Sequence, residues 1–179
     1  MAGRGDFPKS VKAMAAMNSD TSSDTSGDRI FLVVVDDTPE MNVALRFATR
    51  RAQKTNGRVA LLYVIEPADF QHWMAVEDMM EKERRMEAEE VLKKHSDTIM
   101  EFGGAMPMLY IRDGRPQDAL LDLLDEEPGI SILVLGADTG PKGPGPLVSA
   151  CAGKLAGKLH IPVTIVPGSL KDEEIDALT

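Results

Sequence analysis

The sequence predicts an α/β fold in which a parallel sheet is covered by helices on both faces. Short runs rich in Val, Ile and Leu alternate with longer segments of helical periodicity, which is typical of strand-helix-strand units. The runs are largely apolar throughout, as expected for strands that are buried on both faces. The five runs are Ile30–Val35, Arg58–Ile65, Met106–Ile111, Ile130–Leu135 and Pro162–Val166.

Helices are predicted between these runs by apolar residues that recur every three or four positions. Pro39 suits the first turn of the first helix, and Asn56-Gly57 ends it. The second helix is long, from about Trp73 to Phe102. The apolar stripes are Met41, Ala44, Leu45, Ala48 and Ala52 in the first helix, Ala88, Leu92, His95, Ile99 and Phe102 in the second, Ala119, Leu120, Leu123 and Leu124 in the third, and Leu147, Cys151, Leu155 and Leu159 in the fourth.

The chain of 179 residues has the length of one ordinary domain. Residues 1–28 are polar and of low complexity towards their end, so we expect a disordered N-terminal tail. The strand and helix pattern defines a domain over residues 29–168. Residues 169–179 are then expected to form a short acidic C-terminal tail.

Charge and cysteine content exclude several classes of function. The net charge of −9 leaves no basic surplus for a nucleic acid or an anionic membrane surface. The sequence contains no run of about 18 apolar residues, so no membrane-spanning helix is predicted. The single Cys151 excludes an internal disulfide and a cysteine-based zinc site, and its small apolar neighbours indicate a buried structural thiol. These features predict a cytoplasmic protein.

A glycine-rich and proline-rich loop, Gly136–Pro146, follows the fourth predicted strand. Its glycines Gly136, Gly140, Gly143 and Gly145 expose backbone amides, and Lys142 adds a positive charge, which together suit a phosphate. The loop matches neither a Walker A loop nor the dinucleotide-binding turn. The same composition is equally typical of an irregular surface loop.

An acidic pair, Asp36 and Asp37, follows the first predicted strand. In an open parallel sheet, ligands bind beyond the carboxyl ends of the strands, where the winding reverses. These carboxylates suit a ribose, a base edge or a magnesium ion, whereas the alternative is that Asp37 or Thr38 only caps the helix that begins at Pro39. We expect Asp36 to face the crevice and a neighbour to cap the helix.

Five segments together resemble the universal stress protein family. They are Val33–Pro39, Leu61–Pro67, Gly114–Leu120, Ile132–Gly136 and Ile161–Val166, in that order and with fitting spacing. The resemblance implies a three-layer sandwich of the adenine nucleotide α-hydrolase-like type, with strand order 3-2-1-4-5. It also implies a homodimer through the last strand, Pro162–Val166.

Nucleotide-binding members of that family carry a Gly-x2-Gly-x9-Gly-Ser/Thr pattern after the fourth strand. Here Gly136 matches the first position, whereas Thr139, Ser149 and Ala150 occupy the others. The resemblance implies ATP or a related adenine nucleotide as the ligand, and Mg²⁺ is the metal that Asp36 or Asp37 would hold beside it. Asp36 would then contact adenine or ribose, Val64 would contact the base through its backbone, and Gly136 and Ser149 would lie near the phosphates.

The function favoured by these features is that of a stress-responsive regulatory protein that binds an adenine nucleotide between the first and fourth strands. Slow Mg²⁺-dependent ATP hydrolysis is one alternative, with Asp36 or Asp37 holding the metal; the sequence shows no evident base or arginine finger for it. A nucleotide-free dimeric interaction module is a second alternative. A phosphoacceptor receiver domain is a third, because such domains also use an acidic pair after the first strand.

Overall fold

The fold is built on a single parallel sheet with the strand order β3-β2-β1-β4-β5. A computed structural model describes residues 29–36, 38–67 and 74–179. The predicted N-terminal tail, residues 1–28, lies outside these described residues. The strands are β1 Ile30–Val35, β2 Arg58–Ile65, β3 Met108–Asp113, β4 Ile130–Ala137 and β5 Val163–Pro167. All five predicted strands and the implied strand order are confirmed, with shifts of one or two residues at some ends.

Helices cover both faces of the sheet and complete three layers. Helices α1 and α2 pack on one face and α3 and α4 on the other, and α5 lies against α1. Their bounds are α1 Pro39–Lys54, α2 Met74–Glu101, α3 Pro116–Glu126, α4 Pro146–Ala152 and α5 Asp172–Leu178. In the described part of the chain, no helix has both the length and the apolar character that crossing a bilayer requires.

The central strand β1 divides its side chains between two cores. Phe31 and Val33 belong to the cluster under α1 and α2, whereas Leu32 belongs to the cluster under α3 and α4. Successive side chains of a strand point to opposite faces, so a run that is apolar throughout feeds both layers. Burial of each such side chain contributes about 1.5–3 kcal/mol. The sheet therefore occupies the centre, and only its edges and strand ends remain for ligands.

The fourth helix is shorter than the sequence predicts. The apolar stripe through Leu159 predicts a helix of about four turns, but α4 ends at Ala152 and turns follow. Gly153 takes φ −111° and ψ −107° at the end of the helix, and Gly157 follows within a turn. Glycine is a poor helix former, and Leu155 reaches the core from the turn without helical geometry. Tertiary packing therefore buries Leu155 of the stripe although the helix has already ended.

The C-terminal segment contains a helix where the composition predicts only an acidic tail. The Lys171 N–H donates a hydrogen bond to Glu174 Oε2 at 2.8 Å, which caps the first turn of α5. Ile175 is fully buried. A seven-residue helix with one apolar anchor shows too little periodicity to be detected in the sequence, because its stability comes from contacts with α1.

Candidate functional site

A cavity of about 260 Å³ opens at the carboxyl ends of β1 and β4. The chain winds from β1 towards β2 and β3 on one side and continues as β4 and β5 on the other, so the cavity lies where the winding reverses. The end of each strand, the start of α1 and the loop before α4 form its walls. The apolar residues that line it are Val34, Met41, Leu135, Leu147 and Val148.

Asp36 lies on the cavity wall at the end of β1, as predicted. Both the backbone N–H and the hydroxyl of Thr38 donate hydrogen bonds to Asp36 Oδ1, at 3.0 Å and 2.5 Å. Thr38 occupies the N-cap position of α1 but makes no side-chain capping bond. Of the two residues expected to cap the helix, Thr38 does not do so with its side chain, because its hydroxyl is bound to Asp36. Asp37 lies outside the described residues.

Gly136 lines the cavity, and the structure gives it a packing role in addition. A Cβ placed on Gly136 would collide with the Glu40 carbonyl oxygen and lie 2.5 Å from the carbonyl carbon. Only a glycine lets the first turn of α1 approach β4 this closely. The loop interpretation assigned Gly136 to phosphate alone and missed this contact, which joins residues 96 positions apart in the chain.

The loop between β4 and α4 bends through glycines with left-handed backbone angles. Gly143 has φ +86° and Gly145 has φ +96°, conformations that other residues rarely adopt. The Gly140 N–H donates to Asp138 Oδ1 at 2.7 Å. Lys142 is exposed at the rim of the cavity. The loop therefore has a defined shape, and an acidic side chain takes part in it.

The structure brings six of the nine predicted site residues to the cavity wall, namely Asp36, Thr38, Gly136, Lys142, Gly143 and Gly145. Among the described residues, Gly140, Ser149 and Val64 do not line it. Ser149 is exposed on α4, and its hydroxyl donates to the Gly145 carbonyl oxygen at 2.8 Å. Val64 lies on β2 and packs against the core under α3 and α4.

Two acidic residues on the cavity wall, Glu40 and Asp138, were missed by sequence reasoning. Asp138 follows Gly136 by two positions, and Glu40 lies in the first turn of α1. Both are therefore close in sequence to the end of a strand, and this position could have marked them as candidates for the site. Across the residues that the structure describes, no three His, Cys, Asp or Glu side chains are grouped to hold a metal ion. The site thus offers an apolar floor and an acidic rim.

Cys151 is a buried residue of α4 and belongs to the core cluster on that face of the sheet. Burial raises the pKa of its thiol, because the charged thiolate is poorly solvated there. The prediction that this thiol is buried is confirmed.

The sequence matches the model of the universal stress protein family over residues 29–167. This chain belongs to the universal stress protein family. The matched residues include every strand and the whole cavity, so the resemblance of the five segments is confirmed. None of the curated proteins matches the chain by sequence.

Solved structures with the same fold include further universal stress proteins. The protein UspA from Lactobacillus plantarum is 17% identical with a TM-score of 0.63, covering 79% of this chain and 99% of its own. A universal stress protein in complex with cAMP is 20% identical with a TM-score of 0.59, covering 80% and 100%. The protein from Archaeoglobus fulgidus in complex with dAMP is 21% identical with a TM-score of 0.52, covering 77% and 96%.

The strand order of this universal stress protein excludes the phosphoacceptor receiver alternative. Receiver domains have the order 2-1-3-4-5, whereas this sheet has the order 3-2-1-4-5. Asp36 therefore follows β1 in a sheet whose topology differs from that of a receiver domain.

Proposed function

We propose that this universal stress protein is a regulatory protein that binds an adenine nucleotide in the cavity between β1 and β4. The observation that carries the proposal is the position of that cavity at the winding reversal, with an apolar floor and polar groups at its rim. Ligand occupancy would then report the state of the cell to a partner protein.

The chemistry of the cavity supports a ligand with one apolar and one polar end. Met41 and Leu135 offer an apolar surface to a base, and Asp36 offers acceptors to a ribose or to the base edge. The relatives in complex with cAMP and dAMP show that the fold accommodates adenine nucleotides. The cytoplasm, where such nucleotides are abundant, is the compartment we propose.

Isothermal titration calorimetry with AMP and cAMP tests this function directly. We expect binding by the unmodified protein and a loss of about tenfold or more in Asp36→Ala, because a hydrogen bond to a charged group contributes about 1.5–3 kcal/mol. Asp125→Ala is the control, since Asp125 is an exposed aspartate on α3 away from the cavity. Absence of binding by the unmodified protein, together with no nucleotide in an acid extract of it, would contradict the proposal.

We further propose that the protein forms a homodimer through β5. This strand pairs with β4 on one side and forms an edge of the sheet on the other, and Ile165 on it is 42% exposed. Edge strands with exposed apolar residues invite pairing with a second chain. Sedimentation velocity should show a dimer that Ile165→Lys converts to a monomer.

Leu109→Lys is the matched control for the dimer, because Leu109 is 43% exposed on β3, the opposite edge strand. It should leave the dimer intact. A monomeric unmodified protein, or dissociation by Leu109→Lys but not by Ile165→Lys, would contradict pairing through β5.

A further inference from the structure

The wall of the cavity carries more negative than positive side chains. Asp36, Glu40 and Asp138 line it, and in the described part of the chain Lys142 is the only basic residue on it. Lys142 is exposed, where solvent and salt screen its attraction for an anion. An anionic ligand therefore enters surroundings of its own sign, and each additional phosphate increases the repulsion.

Two backbone donors of the loop before α4 are engaged within the loop itself, and a hydroxyl of α4 bonds back to it. The Gly140 N–H donates to Asp138 Oδ1 at 2.7 Å, and the Gly143 N–H donates to the Gly140 carbonyl oxygen at 3.2 Å. The Ser149 hydroxyl donates to the Gly145 carbonyl oxygen at 2.8 Å. Phosphate cradles consist of backbone N–H groups that point at the anion, so these engaged donors weaken any such cradle here.

Three prolines remove further donors from the same loop. Proline has no backbone N–H, and the prolines are Pro141, Pro144 and Pro146. The loop that the sequence assigned to phosphates is thus poor in donors and contains a carboxylate. The cavity is also small, since about 260 Å³ lies below the range of about 300–1,000 Å³ of pockets that enclose drug-sized ligands.

We propose that the cavity accepts an adenine nucleoside or its monophosphate and rejects the nucleoside triphosphate. This inference rests on the proposed function and narrows its ligand. ATP, which the family resemblance implies, does not fit the residues present. The cavity wall is acidic, three prolines remove N–H groups from the loop, and the Gly140 and Gly143 N–H groups are engaged within it.

Calorimetric titration of the full chain with adenosine, AMP and ATP, each with and without Mg²⁺, tests the ligand class. We expect adenosine and AMP to bind, and ATP to bind at least about tenfold more weakly than AMP under both conditions. If none of the three binds, the proposed function itself fails. If ATP binds as tightly as AMP, only the present inference is overturned.

Asp138→Asn tests whether the acidic wall is the cause. The asparagine keeps an acceptor for the Gly140 N–H and removes the charge, so the loop should retain its shape. We expect ATP affinity to rise about three- to tenfold while adenosine affinity changes by less than about twofold. Asp125→Asn, which alters an exposed aspartate on α3, should change neither.

Glu40→Gln provides a second variant on a different element and should act in the same direction. Thermal unfolding of each variant shows that it is folded. Unchanged ATP affinity in both Asp138→Asn and Glu40→Gln would overturn the proposal. An ATP affinity that falls steeply with added KCl would also overturn it, because that dependence reveals a cationic phosphate site.

Discussion

Two charged regions lie along α1, one at its start and one further along the helix, and they differ in how their charges are matched. At the start, Glu40 lies with Asp36 and Asp138 around the cavity. Of the described residues on the cavity wall, Lys142 is the only basic one. Further along, Arg46 and Arg50 face two aspartates of α5. The first region has surplus negative charge, whereas in the second each aspartate has an arginine partner.

The α1–α5 contact is a network of close ion pairs. Arg46 Nε and Nη2 donate to the two carboxylate oxygens of Asp176 at 3.2 Å and 2.7 Å, and Arg50 Nε donates to Asp176 Oδ1 at 3.0 Å. Arg46 Nη1 lies 3.1 Å from Asp172 Oδ2. The Arg46 guanidinium also lies 5.1 Å from the centre of the Phe102 ring. These contacts hold α5 against α1.

The pairing of charges distinguishes a region that stabilises the fold from a region that is proposed to bind a ligand. Matched pairs over the buried Ile175 serve the fold, because they orient a short helix that cannot form alone. Among the described residues, no ion pair joins the carboxylates around the cavity to a basic side chain, and the hydrogen bonds to Asp36 and Asp138 come from residues two positions away. We interpret these carboxylates as determinants of which ligand enters.

The largest effect on stability is expected at the apolar anchor of the α1–α5 contact. Ile175→Ala should lower the free energy of unfolding by about 2–5 kcal/mol, because it leaves a cavity where a fully buried side chain stood. Urea denaturation followed by circular dichroism measures this change. Leu178→Ala is the control on the same helix, since Leu178 is 61% exposed, and should change stability by less than about 0.5 kcal/mol. Equal losses in both variants would show that α5 is not held by Ile175.

The next effect is expected where α1 approaches β4 beside the cavity. Gly136→Ala should cost about 1–3 kcal/mol of unfolding free energy, because the added methyl group collides with the Glu40 backbone, which cannot move without shifting α1. Thermal unfolding provides the measurement. Gly157→Ala, with nothing within 4 Å of the added carbon, should be close to neutral. A Gly136→Ala protein as stable as the unmodified one would mean that the helix start is adjustable.

The smallest effect is expected from the charges of the α1–α5 contact, and it depends on pH. The hydrogen bond from Arg46 lowers the pKa of Asp176 below its ordinary value of 3.8, and the Arg50 hydrogen bond adds to the shift. A carboxylate with a lowered pKa in the folded state stabilises the protein above that ordinary value. The contribution is lost as the pH falls through the lowered pKa.

Asp176→Asn should therefore be less stable than the unmodified protein at pH 7, and the difference should shrink when urea denaturation is repeated at pH 3. Asp172→Asn should have a smaller effect at pH 7, because the Asp172 side chain is 73% exposed against 40% for Asp176. A difference that is the same at both pH values would contradict the ion-pair interpretation.

Most of the fold could be predicted from local pattern. The runs Ile30–Val35 and Arg58–Ile65 were predicted to the residue, because strands buried on both faces leave a continuous apolar signature. The strand order came from the family resemblance and not from periodicity. The length of α4 and the existence of α5 were not predicted, since packing of Leu155 and Ile175 decides both.

The candidate site was predicted less completely than the fold. Asp36 and Gly136 were found because they directly follow or end apolar runs, which places them at the strand ends in any parallel sheet. Glu40 and Asp138 were missed, because an acidic residue in a helix or loop is ordinarily a solvated surface group. Their common cavity appears only when α1 and the loop before α4 are brought together.

The sequence by itself determined the fold class and the strands, because alternation of apolar runs and helical stripes is a local property, and the resemblance of five segments indicated the family. It also determined that the loop after β4 departs from the family's glycine pattern. The tertiary structure decided what that departure means. The three-dimensional shape of the loop shows which of its donors are engaged. The carboxylates that share the cavity, and the Glu40 backbone that Gly136 must clear, come from distant parts of the chain and meet only when the layers pack.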